Sequence, residues 1–182
     1  MHSPDTRARF SSLSIALHWL MVLLISAVYA TILLRENYPK GTDIREGLKT
    51  WHFMLGLTVL ALVVIRLIAR LISRTPPIRP KPSAWQVMLA GMTHFALYAF
   101  MLVMPVAGWM ILSASGKPIP FFGVEFPALV GPSKALASQV KEVHETIGTI
   151  GYFLIGLHAV AALYHHYVVR DDTLRRMLPG RH

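Results

Sequence analysis

The chain contains no cysteine, and that absence removes several chemistries at once. There is no disulfide, no iron–sulfur cluster, no thiolate ligand to a metal and no CxxCH attachment motif. Charge is scarce too, since only 15% of the 182 residues are Asp, Glu, Lys or Arg. Acids are half as frequent as bases, nine against eighteen, which leaves a net charge of +9. A surplus of this sign can mark a nucleic-acid binder, but here the positive residues occupy short connectors between long apolar runs. That is a topology signal and not a groove for phosphates. With 54% apolar residues the composition does not fit a soluble globular protein. The length is that of one domain, residues 1–182, without low-complexity segments.

What is present is a set of four apolar runs, about 13–34, 51–72, 85–112 and 143–169, each near the ~20 residues needed to cross a bilayer. The expected fold is therefore all-α, an integral membrane four-helix bundle. Val28-Tyr29-Ala30 loosely resembles a signal-peptide cleavage site, but His18 and Trp19 interrupt the first run and the run continues past Ala30. It is expected to be a span. The second connector, Ser73 to Ser83, reads SRTPPIRPKPS and is a stiff, basic linker. Pro105 is expected to bend the third span. In the long third connector, Phe121, Phe122 and Phe126 are expected on the membrane surface.

Lys and Arg set the orientation. The N-terminal arm, the second connector counted from Arg66 and the tail hold eleven of them, and the other two connectors hold seven beside six of the nine acids. Both termini are thus expected in the cytoplasm, with Trp51 and Trp109 near the outer interface and Trp19 and Trp85 near the inner one.

The fourth run carries the chemistry. It holds His144, His158, His165 and His166 in a segment long enough to cross the membrane. The fourteen residues from His144 to His158 return to nearly the same helix face, displaced by ~21 Å along the axis. Gly151 lies midway and Gly148 sits one turn from His144. Two imidazoles on one face with small residues between them suit two flat groups stacked across the bilayer, and haem fits best, because its iron takes axial histidines. Without cysteine, any haem is non-covalent and histidine-bound. By depth, His52 faces His144 near the outer surface, and His158 has two candidate partners, His18 and His94. Filling both axial positions favours electron transfer over oxygen activation. Arg66 follows His52 by fourteen residues, and either pairs with a haem propionate or extends to the inner headgroups. His165 faces the same way as His158, placed to contact a propionate, bond a quinone or relay protons. His166 reads as a wetted interfacial residue.

At these residues the chain resembles the bacterial cytochrome b561 family of four-helix, di-haem b membrane proteins. The likeness runs through ALHW in the first span, WHFMLG in the second, the TPPIRPKP linker, MPVAG in the third, HETIGTIGYFLIGLHAVAALYHHY in the fourth and DDTLRRMLP after it. The resemblance implies His18 with His158 and His52 with His144 as ligands of two haem b groups, in the bacterial inner membrane. It also implies the activity of the superoxide oxidase members, which pass electrons from superoxide at the outer face to ubiquinone. Relatives with the same helices serve as haem subunits of hydrogenases or dehydrogenases, usually with an additional span that the reading here does not find. Superoxide is expected to be drawn by outer cations among Arg35, Lys40, Arg45, Lys49, Lys117, Lys134 and Lys141. The rival classes are a haem conduit docked to a soluble redox partner, and a non-redox membrane protein whose histidines bind a metal or nothing.

Overall fold

In hydrocarbon no water pairs with a peptide N–H or C=O, so an apolar run must satisfy its backbone within itself. The computed structural model, which describes residues 9–73 and 75–179, meets that demand with four helices. They are α1 (Ser12–Leu34), α2 (Asp43–Ile72), α3 (Ala84–Ala114) and α4 (Lys134–Tyr164). All four are long and apolar enough to span a membrane. Arg7, Arg74 and Arg181, which enter the charge count, lie outside the described residues.

The helix starts are written locally. Ser11 Oγ accepts from Ser14 N–H at 3.2 Å at the head of α1. Ser83 and Gln86 form a capping box on α3, with Ser83 N–H donating to Gln86 Oε1 at 2.9 Å. Ser133 Oγ accepts from Leu136 N–H to start α4. Asp43 and Glu46 occupy the first turn of α2, where carboxylates meet the positive end of the helix dipole. Two helices therefore begin well before their apolar runs, α2 at Asp43 and α4 at Lys134. α3 continues through Pro105 as one helix.

Consecutive helices pack as neighbours, α1 on α2, α2 on α3 and α3 on α4, whereas α4 comes near α1 and α2 chiefly through side chains. One buried cluster centres on Met21, Val59 and Val63, and a second on Leu57, Leu112 and Ile119. Phe121 and Phe126 pack on that second cluster, which corrects their expected place on the membrane surface. They belong to a hairpin of β1 (Pro120–Phe121) and β2 (Val124–Glu125). Its two turn residues, Phe122 (φ 46°) and Gly123 (φ 91°), both take the left-handed backbone that a tight hairpin turn needs. Of the three phenylalanines only Phe122 is exposed, edge-on to Trp51.

Both ends of the described chain meet on one face, called here the terminal face. After α4 a π-helical turn, His165–Val169, leads to Arg170 in left-handed conformation, and the chain folds back under the bundle as a clasp. Asp172 N–H donates to Arg79 O at 3.1 Å while Arg79 N–H donates to Asp172 Oδ1 at 3.0 Å. Arg176 is buried, donates to Pro76 O, and lies 5.3 Å from the centre of the Phe10 ring. Trp19 Nε1 donates to Met177 O at 2.7 Å, and Arg9 donates to Leu178 O at 3.0 Å. The DDTLRRMLP segment thus joins the N-terminal arm, the proline linker and α4. Arg176→Met strips a buried donor from Pro76 O and removes the charge over Phe10. It is expected to cost about 1–3 kcal/mol, read as a lower melting temperature in detergent with the helical content unchanged.

Candidate functional site

The spacing on α4 does what a helix of 3.6 residues per turn dictates, presenting His144 and His158 on one side at different heights. Each meets a ring from another helix. His52 of α2 lies 6.3 Å from His144 between ring centres, with the planes at 79°. His18 of α1 lies 6.3 Å from His158, with the planes at 74°. His94 of α3 is closer to His158, at 5.5 Å, and is an exposed residue. The structure therefore brings together both expected pairs and keeps the third candidate alongside.

These distances test whether the residues fit an iron porphyrin. A metal bound by imidazole nitrogen at about 2.0 Å on each side sets the two ring centres roughly 6 Å apart. Both 6.3 Å pairs match that spacing, and the 5.5 Å pair is tighter than it. Among the described residues no three His, Asp or Glu side chains converge to hold a bare ion, so each pair offers two nitrogens to a metal whose other ligands come from elsewhere. The outer ring nitrogens agree. His52 Nδ1 donates to Val28 O at 3.0 Å, which leaves Nε2 as the nitrogen with a free lone pair. His144 lies beside Gly108, whose missing Cβ would stand 3.6 Å from His144 Cε1. A Cβ on Gly56, one turn from His52, would meet nothing within 4 Å. The residues fit haem.

The whole chain carries the corresponding likeness. Residues 9–180 match the model of the prokaryotic cytochrome b561 family. The chain belongs to that family. It is 39% identical to cytochrome b561 homolog 1 of Escherichia coli K12, over 95% of this chain and 98% of that protein. It is 38% identical to a probable superoxide oxidase of Yersinia pestis, over 95% and 97%. Cytochrome b561 homolog 2 of E. coli K12 is 30% identical over 98% and 95%. This cytochrome b561 is therefore a haem-dependent electron-transfer protein, an oxidoreductase of the bacterial inner membrane that crosses it several times.

Other expected residues take more specific places. Arg66 of this cytochrome b561 reaches α1, donating to Ser14 O at 3.1 Å and lying 3.2 Å from His18 Nδ1. His165 Nδ1 bonds Asp171 Oδ2 at 2.5 Å, and the Asp171 side chain is almost fully buried. Burial raises the Asp171 carboxyl, but hydrogen bonds from His165 and Thr173 outweigh it and hold the group below its ordinary value. His166 lies against Tyr167, with its Nδ1 buried and unpartnered. Asp171 carries no signal in the sequence, since it lies beyond the apolar run and only the reversal at Arg170 turns it toward His165.

Gly151 serves a different end from the one its sequence position indicates. It is buried, and it lets two aromatic side chains from neighbouring helices reach the level between the histidine pairs. An added Cβ would lie 2.5–2.6 Å from the Phe100 ring and would overlap the Tyr29 hydroxyl. That hydroxyl donates to Gly148 O at 2.7 Å, and the Tyr29 ring packs on Tyr152. Gly151→Leu forces Tyr29 and Phe100 apart and is expected to destabilise the bundle by about 1–3 kcal/mol. The check is thermal unfolding beside Tyr29→Phe, which loses one hydrogen bond and should cost less.

Proposed function

We propose that this protein is a di-haem superoxide:ubiquinone oxidoreductase, with both termini cytoplasmic, His52 and His144 binding an outer haem b, and His18 and His158 an inner one. The observation that carries the proposal is the repeated geometry: two cross-helix imidazole pairs, both 6.3 Å apart and near perpendicular, mounted on one face of α4. The similarity to a probable superoxide oxidase supports the choice of substrate. Bound haem supplies reversible one-electron chemistry, while the protein positions it and tunes it.

The chain's own residues then divide the work. The Val28 carbonyl holds the His52 ring and its tautomer, as outer-shell partners of ligating histidines do. On the inner side, a His18 that ligates through Nε2 carries its proton on Nδ1 and no longer accepts from Arg66. The guanidinium nitrogen that faces His18 is then released for a carboxylate at that level while the other stays on Ser14 O, which makes Arg66 the propionate partner. His94 stands next to His158 without being a ligand. Superoxide is an anion, and the outer cations differ in how freely they can attract it. Arg35 and Arg45 pair with Glu36, Lys49 with Glu46, and Lys141 with Glu145. Lys40, Lys117 and Lys134 form no ion pair among the described residues, so steering falls to them. Ubiquinone takes two electrons and two protons, and the two histidine pairs would let the protein hold two haems, one for each electron.

Stopped-flow spectroscopy of the purified protein tests this directly. Superoxide should reduce the haem b bands, and added ubiquinone should reoxidise them. The triple variant Lys40→Gln, Lys117→Gln, Lys134→Gln should be several-fold slower with superoxide and less sensitive to salt. Reduction only through an added dehydrogenase would make the protein a conduit, and an unchanged salt dependence would return these lysines to ordinary connector charge. Ligand variants address the pairing by haem-to-protein ratio. Alanine at His52, His144, His18 or His158 should each remove one of two haems, with His94→Ala keeping both. Loss of haem in His94→Ala together with retention in His18→Ala would reverse the inner assignment.

A further inference from the structure

A cleft of about 340 Å3 opens on the terminal face, lined by His166, Tyr167, Arg170, Asp171 and Arg175. Its lining includes none of the paired histidines. Its frame is fixed rather than loose. Asp171 N–H donates to His165 O at 3.1 Å, Asp172 and Arg79 exchange hydrogen bonds, and Trp19 ties down Met177. Arg170 and Arg175 are mounted on this clasp, both exposed, and neither forms an ion pair among the described residues. The neighbouring Arg176 is different, being buried within 3.4 Å of Asp172.

The one acid in the lining does not compete for these two guanidiniums. Asp171 Oδ2 is taken by His165 and Oδ1 by Thr173 N–H at 2.9 Å. The cleft therefore presents two unpaired arginines with an imidazole and a phenol beside them. It lies where α4 leaves its apolar run, and the last turns above it expose Tyr164, Tyr167 and Val168. A cationic recess beneath an apolar wall, at the level where a span ends, has the polarity of a phospholipid: phosphate in the recess, acyl chain along the wall. A guanidinium matches a phosphate better than an ammonium would, because it offers paired N–H donors in one plane.

We propose that Arg170 and Arg175 bind the phosphate of an anionic phospholipid in the leaflet on the terminal face. Phosphate chemistry is shared with free inorganic phosphate, so the test needs both. The holoprotein is purified in detergent, and its melting temperature is followed on adding phosphatidylglycerol, phosphatidylcholine or inorganic phosphate. Native mass spectrometry counts retained lipid. Phosphatidylglycerol should raise the melting temperature and remain bound where phosphatidylcholine does not. Arg170→Gln/Arg175→Gln should weaken the phosphatidylglycerol response at least tenfold in concentration, while Lys141→Gln on the opposite face leaves it intact. Equal melting temperatures of double variant and wild type in phosphatidylcholine report an intact fold; if the double variant falls there, the single variants carry the comparison. A phosphatidylglycerol response equal in wild type and variants overturns the proposal. So does a response to inorganic phosphate alone, which would make the recess a soluble-anion site.

Discussion

A polar group inside the bilayer has no water to turn to, and that constraint shapes the polar contacts between these helices. The backbone answers it with unbroken α-helix. Side chains answer it by reaching the neighbour. His52 finds the Val28 carbonyl, Tyr29 finds the Gly148 carbonyl, and Arg66 finds Ser14 and His18. Each bond joins two helices, so the polar atoms that are costly in hydrocarbon also set which helices face which. This matters most for α4, which meets α1 and α2 chiefly through side chains. The histidine pairs and Tyr29 are the residues on that boundary.

In the proposed inner pair His18 competes with His94. Both rings approach His158, so proximity alone does not choose between them. The proposed choice rests on separation: His18 repeats the 6.3 Å of His52 and His144 and His94 at 5.5 Å does not, while all three ring pairs cross steeply. His18 also has a charged neighbour in Arg66, where His52 has a carbonyl. Were the two pairs to hold haem as proposed, a cation beside one and a dipole's negative end beside the other would favour reduction more strongly at the His18–His158 level. In the proposed orientation, that asymmetry draws electrons inward from the side where superoxide arrives.

Much of this was legible before any coordinates. Apolar length alone marks the four spans, and a fourteen-residue interval on a helix puts His144 and His158 on one side. What hydropathy does not report is how far a helix extends into water. Asp43 to Thr50 and Lys134 to Glu142 interrupt the apolar pattern with charge, and they are helical because acids fill the first turn of α2 and Ser133 caps α4. Nor could spacing show what Gly151 admits, since Tyr29 and Phe100 come from other helices. Phe121 and Phe126 look like surface anchors in sequence, because only the two-residue turn at Phe122 and Gly123 folds them onto Leu57 and Leu112.

The segment after α4 has a consequence for the site that its polar composition conceals. Trp19 is bonded to Met177, and its indole is edge-on to the ring of His18. Arg70 and Arg176 flank Phe10, just before α1 begins. The clasp therefore holds the very end of α1 that carries His18, while Arg66 holds the same turn from α2. A side-chain pair drawn from two helices that pack little against each other, as His18 and His158 are, needs its height fixed from outside, because sliding α1 by one residue moves His18 about 1.5 Å along the axis. By contrast His52 lies well inside α2, whose neighbours pack on both sides. Loosening the clasp should then be felt at His18 and His158 before it is felt at His52 and His144.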